Sequence, residues 1–196
     1  MLPFSEACER NKEPILAVLR EAFADRRRVV EIGAGTGQHA VHFSRHLPHV
    51  AWQPTDRAEW LEGLAARVAA EGPPNLLPPV ELDVLHEPWP AVRGDAVFSA
   101  NTLHIMSWPA VEALFAGLGR ILEPGGVLAV YGPFRYRGAF TTRSNAEFDA
   151  MLRERDPASG VRDFEVVDAL AVAAGLALQA DHAMPANNQL LVWRGK

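Results

Sequence analysis

Three glycines at alternate positions, Gly33, Gly35 and Gly37, follow the run Val29-Val30-Glu31-Ile32. A chain needs glycine where it turns sharply, and where a ligand must reach the backbone with no Cβ in the way. The loop is therefore a candidate binding turn between a buried strand and the helix behind it. Its spacing selects among ligands. The dinucleotide fingerprint G-x-G-x-x-G would put its third glycine at position 38, which is Gln38. The form present is G-x-G-x-G, with Glu31 two residues ahead of the first glycine. A carboxylate there repels a pyrophosphate and suits a cationic ligand. Both features disfavour an NAD-dependent oxidoreductase.

A second acid, Asp56, ends the next strand-like run, Trp52-Gln53-Pro54-Thr55-Asp56. An acid about 20 residues beyond a glycine loop can accept hydrogen bonds from both hydroxyls of a ribose. It can equally cap the helix that follows, and the two roles are compatible. Asp83 follows a third such run. His39, His42, His46 and His49 fall at helix-like spacing, which can chelate a metal. Pro48 should break that helix, however, and no carboxylate or cysteine joins the row, so no metal site is expected. Near the start of the helix, His39 could reach a ligand on the loop. Cys8 has Glu9 beside it and no histidine near it in sequence, which leaves the thiol unactivated.

These residues need a frame to hold them. Helical spacing covers residues 13–23, 37–46, 59–70 and 111–122, and strand-like runs cover 29–32, 50–53, 80–84, 96–100 and 127–131. The Pro124-Gly125-Gly126 turn separates the fourth helix from the fifth strand. Strands alternating with helices predict βαβ units, hence a mostly parallel sheet covered on both faces. The polar stretch 133–163 interrupts this pattern and contains one expected helix, 145–155. Insertions of this length are commonly lids or binding loops. A helix over 165–174 and an antiparallel strand pair, 176–181 with 189–193, close the chain.

Because open α/β sheets bind ligands beyond the carboxyl ends of their strands, Tyr131 and Asn145 are candidates for binding a substrate. Tyr131 ends the fifth strand and Asn145 opens the expected helix in the insertion. Asn187 and Asn188 lie between the last two strands and serve either the turn or that site. Arg135, Arg137 and Arg143 of the insertion would suit an acidic substrate.

The chain has 196 residues, of which 48% are hydrophobic and 22% charged, with a single cysteine. That length fits one domain, residues 1–196, with a core large enough to need no disulfide. Its net charge of −5 disfavours a broad basic face for nucleic acid. No apolar run nears the roughly 20 residues of a membrane span, and charges occupy the place of a signal peptide's apolar stretch. A cytoplasmic protein is expected.

The loop, Asp56, Asp83 in Glu81-Leu82-Asp83-Val84, the run Asp95-Ala96-Val97-Phe98-Ser99-Ala100-Asn101, and Leu122-Glu123-Pro124-Gly125-Gly126 resemble, in order and spacing, the motifs of class I S-adenosylmethionine-dependent methyltransferases. More narrowly, Ser5-Glu6-Ala7-Cys8-Glu9-Arg10-Asn11-Lys12, Gly37-Gln38-His39-Ala40-Val41-His42-Phe43, Tyr131-Gly132-Pro133-Phe134 and Met184-Pro185-Ala186-Asn187-Asn188 resemble the DUF938, or methyltransferase-like 26, family. The resemblance implies a Rossmann-like fold with a seven-stranded sheet, mostly parallel with an antiparallel last strand. It also implies S-adenosylmethionine as cofactor, held by Glu31, Gly33, Gly35, Gly37, Asp56, Asp83, Asn101, Arg10 and Asn11. It supplies neither an acceptor nor a catalytic base. A methyltransferase acting on a small polar acceptor is the first reading. A non-catalytic module that binds S-adenosylmethionine or a partner is the second. A nucleic-acid methyltransferase is disfavoured by the charge and because Asn101 is followed by Thr102-Leu103 rather than Pro-Pro-Tyr.

Overall fold

Val29, Val30 and Ile32 are buried on both sides of their strand, as a central parallel strand requires. The computed structural model describes residues 2–196. Its first half contains α1 (Glu6–Ala22), β1 (Arg28–Ile32), α2 (Gln38–His46), β2 (Ala51–Asp56), α3 (Ala58–Glu71), β3 (Val80–Glu81), β4 (Gly94–Ala100) and α4 (Trp108–Ile121). There follow β5 (Leu122–Gly132), β6 (Phe134–Tyr136), β7 (Ala139–Phe140), α5 (Arg143–Arg155), β8 (Arg162–Asp163), α6 (Phe164–Ala173), β9 (Leu176–Met184) and β10 (Asn188–Gly195).

The main sheet has seven strands in the order β3-β2-β1-β4-β5-β10-β9. β1 pairs in parallel with β2 and β4, and β4 with β5, while β10 runs antiparallel between β5 and β9. The strand order reverses between β1 and β4, so their carboxyl ends open a crevice. Val30, Val97, Leu128 and Leu191 face one core with α4 and α6. Val29, Phe98 and Ala129 face the other, with α1 and α2. In that second core Phe43 packs on Trp52 and Phe98, with ring centroids 5.6 and 5.3 Å away.

Several boundaries differ from the sequence reading. α1 starts at Glu6, not at residue 13, so Arg10 and Asn11 lie within the helix rather than ahead of it. The helix runs through Pro14. The true start is capped by Ser5, whose Oγ accepts from the Cys8 N–H at 3.4 Å, and Glu6 and Glu9 suit its positive end. β5 begins at Leu122, because Pro124-Gly125-Gly126 stays within the strand as a register irregularity instead of forming a separate turn. β3 stops at Glu81, where the chain turns and the His86 N–H reaches the Asp83 carbonyl. The insertion holds a small sheet, β7-β6-β8, besides its helix. Strands of two or three residues leave no periodicity to read. Among the described residues no helix is long and apolar enough to cross a membrane.

Phe43, Trp52 and Phe98 of the second core are fully buried. Phe43→Ala should lower unfolding free energy by about 3–5 kcal/mol, read from urea denaturation. A loss below about 1 kcal/mol, the range of tolerated core swaps, would mean that the cluster does not hold α2 to the sheet.

Candidate functional site

The glycine loop leaves β1 with Gly33 and Gly35 at φ +73° and +53°. The Gly33 and Ala34 N–H groups both donate to the Thr55 carbonyl, at 3.0 and 3.1 Å. A Cβ on Gly33 would lie 2.7 Å from Thr102 Oγ1, whereas one on Gly35 would meet nothing within 4 Å. The loop is thus packed against β4's end on one side and open on the other. Gly37 is the residue ahead of α2. Asp56 is buried, and its Oδ2 accepts from the Gly35 N–H at 2.6 Å while Oδ1 accepts from the Arg57 N–H at 2.8 Å. Burial raises its carboxyl above the ordinary value, and these two donors oppose the rise.

Glu31 sits differently from the sequence expectation. Its carboxyl is buried in the second core, where Oε2 accepts from Trp52 Nε1 at 2.7 Å. Burial pushes it up to about 8, against the Trp52 hydrogen bond and helped by Asp56. Burial thus favours the protonated carboxyl in this structure, and its hydrogen bond ties β1 to β2.

Gln38, at the position of the missing third glycine, is a clasp. Its Nε2 donates to Glu9 Oε1 at 2.7 Å and to the Ser5 carbonyl at 3.3 Å, and its Oε1 accepts from the Ser5 N–H at 2.6 Å. Arg67 on α3 adds a second tie, donating to the Thr36 carbonyl at 2.6 Å and the Pro3 carbonyl at 2.5 Å. The chain's start is thereby fastened across the loop. His39 is buried against α1, with Nε2 2.7 Å from Asn11 Oδ1. Burial, then His42, lowers its pKa to about 3, which keeps the ring neutral. Among the described residues no three His, Cys, Asp or Glu side chains converge as a metal site would require.

Beyond the ends of β4 and β5 lies a cavity of about 690 Å³, within the range of small-molecule sites. Arg10, Asn11, Asn101, Tyr131, Asn145 and Asn187 all line it. The structure thus gathers six residues singled out in the sequence, from α1, the turn after β4, β5, α5 and the last hairpin. Glu31, the three loop glycines, Asp56 and Asp83 do not line it. Asp83 stands just past β3, where Oδ1 accepts from the Leu85 N–H at 2.9 Å and Oδ2 meets His86 Nδ1 at 2.8 Å. Burial alone would raise its carboxyl, but these partners hold it below the ordinary value.

Sequence reasoning missed Ser144 and Phe148, which share a face of α5 with Asn145. It also missed His104, a buried ring packed edge-on to Phe148 at 5.4 Å and kept neutral because burial, then Arg162, lowers its pKa to about 4. Neither spacing nor residue type marks these positions before the insertion is folded. Asn145 Nδ2 donates to the Asn187 carbonyl at 2.9 Å, and Asn187 Nδ2 to Ser144 Oγ at 3.1 Å, so α5 and the hairpin close the cavity together. Asn101, Ala186 and Asn187 reach it with φ of 56–58°, conformations that a surrounding structure must impose.

Amides and hydroxyls dominate the polar wall. Tyr131 has its hydroxyl pKa raised by burial, with the Asn11 and Asn188 side chains beside it opposing the rise. Arg10 is paired with Glu6 at 3.2 Å on the exposed rim. The insertion's arginines are elsewhere: Arg135 pairs with Asp163 at 2.6 Å, Arg143 with Glu147 at 2.7 Å, and neither these nor Arg137 line the cavity. An acidic ligand matched by those three arginines is therefore not what the cavity is built for. Its polar lining is made of amides and hydroxyls, with the Arg10 guanidinium at the rim.

A family profile described as "Protein of unknown function (DUF938)" matches residues 2–195. Among solved structures, the chain is similar to an O-methyltransferase family protein from Burkholderia thailandensis, with TM-score 0.83 and 18% identity over 97% of this chain and 58% of that one. It is also similar to the S-adenosylmethionine-dependent methyltransferase SibL, with TM-score 0.80 and 21% identity over 96% and 55% of the two chains. A third likeness is to PigF with S-adenosylhomocysteine, with TM-score 0.81 and 16% identity over 96% and 56%. The chain spans just over half the length of these proteins. The likeness shows a Rossmann-like methyltransferase fold.

The buried Glu31 carboxyl links stability to pH. Its folded pKa, about 8, lies above the ordinary 4.5, so the native state holds a proton that the unfolded chain has released. That contribution is complete below about 4.5 and is lost as pH rises towards 8. Glu31→Gln, which can still accept from Trp52, should keep its stability across this window while the parent chain loses some. Parallel pH–stability curves from denaturant titrations would contradict the assignment.

Proposed function

The chain belongs to the DUF938 family, and from that premise we propose that it is an S-adenosylmethionine-dependent methyltransferase whose small, uncharged polar acceptor occupies the 690 Å³ cavity. One observation carries the reading. A glycine loop with open space beyond Gly35, at the carboxyl end of β1, and a cavity with polar lining beyond β4 and β5 lie along the carboxyl edge of one parallel sheet, where open α/β sheets bind ligands.

The residues fit the donor molecule. Each oxygen of the Asp56 carboxylate accepts one backbone N–H, which leaves a lone pair on each for a ribose hydroxyl. Asp83, two residues beyond Glu81, the register partner of Asp56, would take the adenine amino group. Arg10, Asn11 and Asn101 line the cavity and would hold the methionine end. Bound S-adenosylmethionine supplies an electrophilic methyl group on a sulfonium. The chain's own task is alignment and exclusion of water. Tyr131, Asn145 and Asn187 would orient the acceptor, and Phe148 would cover it.

Calorimetry should detect S-adenosylhomocysteine binding and no NAD binding. Asp56→Ala should weaken the former by about 1.5–3 kcal/mol, the scale of charge-assisted hydrogen bonds. Unchanged affinity would remove Asp56 from the ribose site.

Turnover is accessible by offering labelled S-adenosylmethionine to a fractionated metabolite extract. Asn145→Ala should cut label transfer at least about tenfold while S-adenosylhomocysteine affinity stays within about twofold, a difference of roughly 0.4 kcal/mol. Tight binding with no labelled fraction for the parent chain would favour the non-catalytic module.

A further inference from the structure

The wall that α5 and the last hairpin give the large cavity has a polarity of its own. Asn145 is only 5% exposed, yet it lines the cavity. Both hydrogens of its amide nitrogen are spent inside the protein, since Nδ2 donates to Thr141 Oγ1 at 3.0 Å and to the Asn187 carbonyl at 2.9 Å. The amide cannot turn over, because Oδ1 would then stand against the Asn187 carbonyl, acceptor against acceptor. Oδ1 itself has no partner among the described residues, and it is not one of the sealed, unpartnered atoms of the interior. A fixed acceptor is left at the cavity, and such a group asks for a donor.

The neighbouring amides repeat the pattern. Asn187 Nδ2 donates to Ser144 Oγ at 3.1 Å, and Asn188 Nδ2 to the Pro185 and Ala186 carbonyls at 3.3 Å each. Neither residue's Oδ1 has a partner among the described residues. What this wall offers is carbonyl oxygen, which repels an anion. A cation is no better placed. Ser144 and Asn145 lie in the first turn of the 13-residue α5, whose N-terminus carries partial positive charge. Among the described residues no carboxylate lines the cavity. Phe148, one turn further along the same face of α5, is apolar, as are Pro133 and Pro185.

We propose that the molecule held in this cavity is a neutral hydroxyl compound, an alcohol or a phenol, whose O–H donates to Asn145 Oδ1. The proposal rests on the reading of the cavity as the acceptor site and names the class of acceptor. A hydroxyl oxygen also accepts, so a hydroxylated ligand can use the Tyr131 and Arg10 donors elsewhere in the lining, whereas a neutral N–H group meets only the first need. An ether or ketone in the same place would set its lone pairs against Oδ1 and leave that oxygen desolvated and unpaired. Sites built to bond a hydroxyl reject the analogue lacking it far more strongly than an apolar pocket rejects a missing methylene. The carbonyl oxygens turn away a carboxylate, and the start of α5 turns away an ammonium group.

Saturation-transfer NMR titrations of the full chain at pH 7, with four small probes, test the site without reference to methyl transfer. Benzyl alcohol should bind at least about tenfold more tightly than benzyl methyl ether, benzoate or benzylammonium. Asn145→Ala should bring the alcohol and the ether within about twofold of each other. A merely structural role for Asn145 would instead weaken both probes alike and keep their ratio, which overturns the proposal. So does an ether or either ion that binds as well as the alcohol, or an alcohol that does not bind at all. Should Asn145→Ala fail to fold, the parent chain's preference among the four probes still decides. Preference for the alcohol in a chain that binds no S-adenosylhomocysteine upholds the hydroxyl site and defeats the methyltransferase reading. S-adenosylhomocysteine binding with no preference for the alcohol does the reverse.

Discussion

A loop with several left-handed residues keeps one shape only if neighbouring groups satisfy its backbone, and here that falls to the end of β2. Thr55 accepts from two loop N–H groups and Asp56 from a third. Parallel pairing of β1 with β2 brings Ile32 opposite Thr55 and so sets those acceptors in place. The Trp52–Glu31 hydrogen bond locks the same two strands from within the core. The loop's open side, the level of Asp56 and the mouth of the large cavity all follow from this pairing.

The N-terminal segment depends on it in turn. Gln38 and Arg67 can bind residues 3–9 only because the loop brings α2 and α3 together beneath them. With α1 so placed, Asn11 reaches both His39 and the cavity. A buried neutral histidine bonded to an amide is a rigid mount, since neither group changes charge near neutral pH. The cavity wall is accordingly fixed on the α1 side and completed on the other by α5 and the last hairpin.

Much of this was legible in the sequence where one residue type has one physical use. Alternating glycines, strand-ending acids and β-branched runs mark the parallel strands along the chain and the turn after β1, while their order in the sheet is set by the fold. Arg10 and Asn11 were singled out for the cofactor and lie ahead of a helix read from residue 13, whereas the cap made by Ser5 puts both within α1, on the wall of the cavity. Glu31 was visible as an acid, but its burial, and hence its protonation, depends on Trp52 in another strand. The small sheet of the insertion is too short to have a period. Phe148, Ser144 and the Asn145–Asn187 hydrogen bond come together only once that insertion packs against the hairpin. Local pattern marks elements, whereas such clusters are made by tertiary contact.

The most direct test of the account is a crystal structure with S-adenosylhomocysteine bound. The account predicts adenosine over the glycine loop, both ribose hydroxyls within hydrogen-bond distance of Asp56, and the homocysteine end at Asn101, leaving the cavity between Tyr131 and Asn145 free for an acceptor. A ligand lying wholly within that cavity, with Asp56 out of its reach, would contradict it.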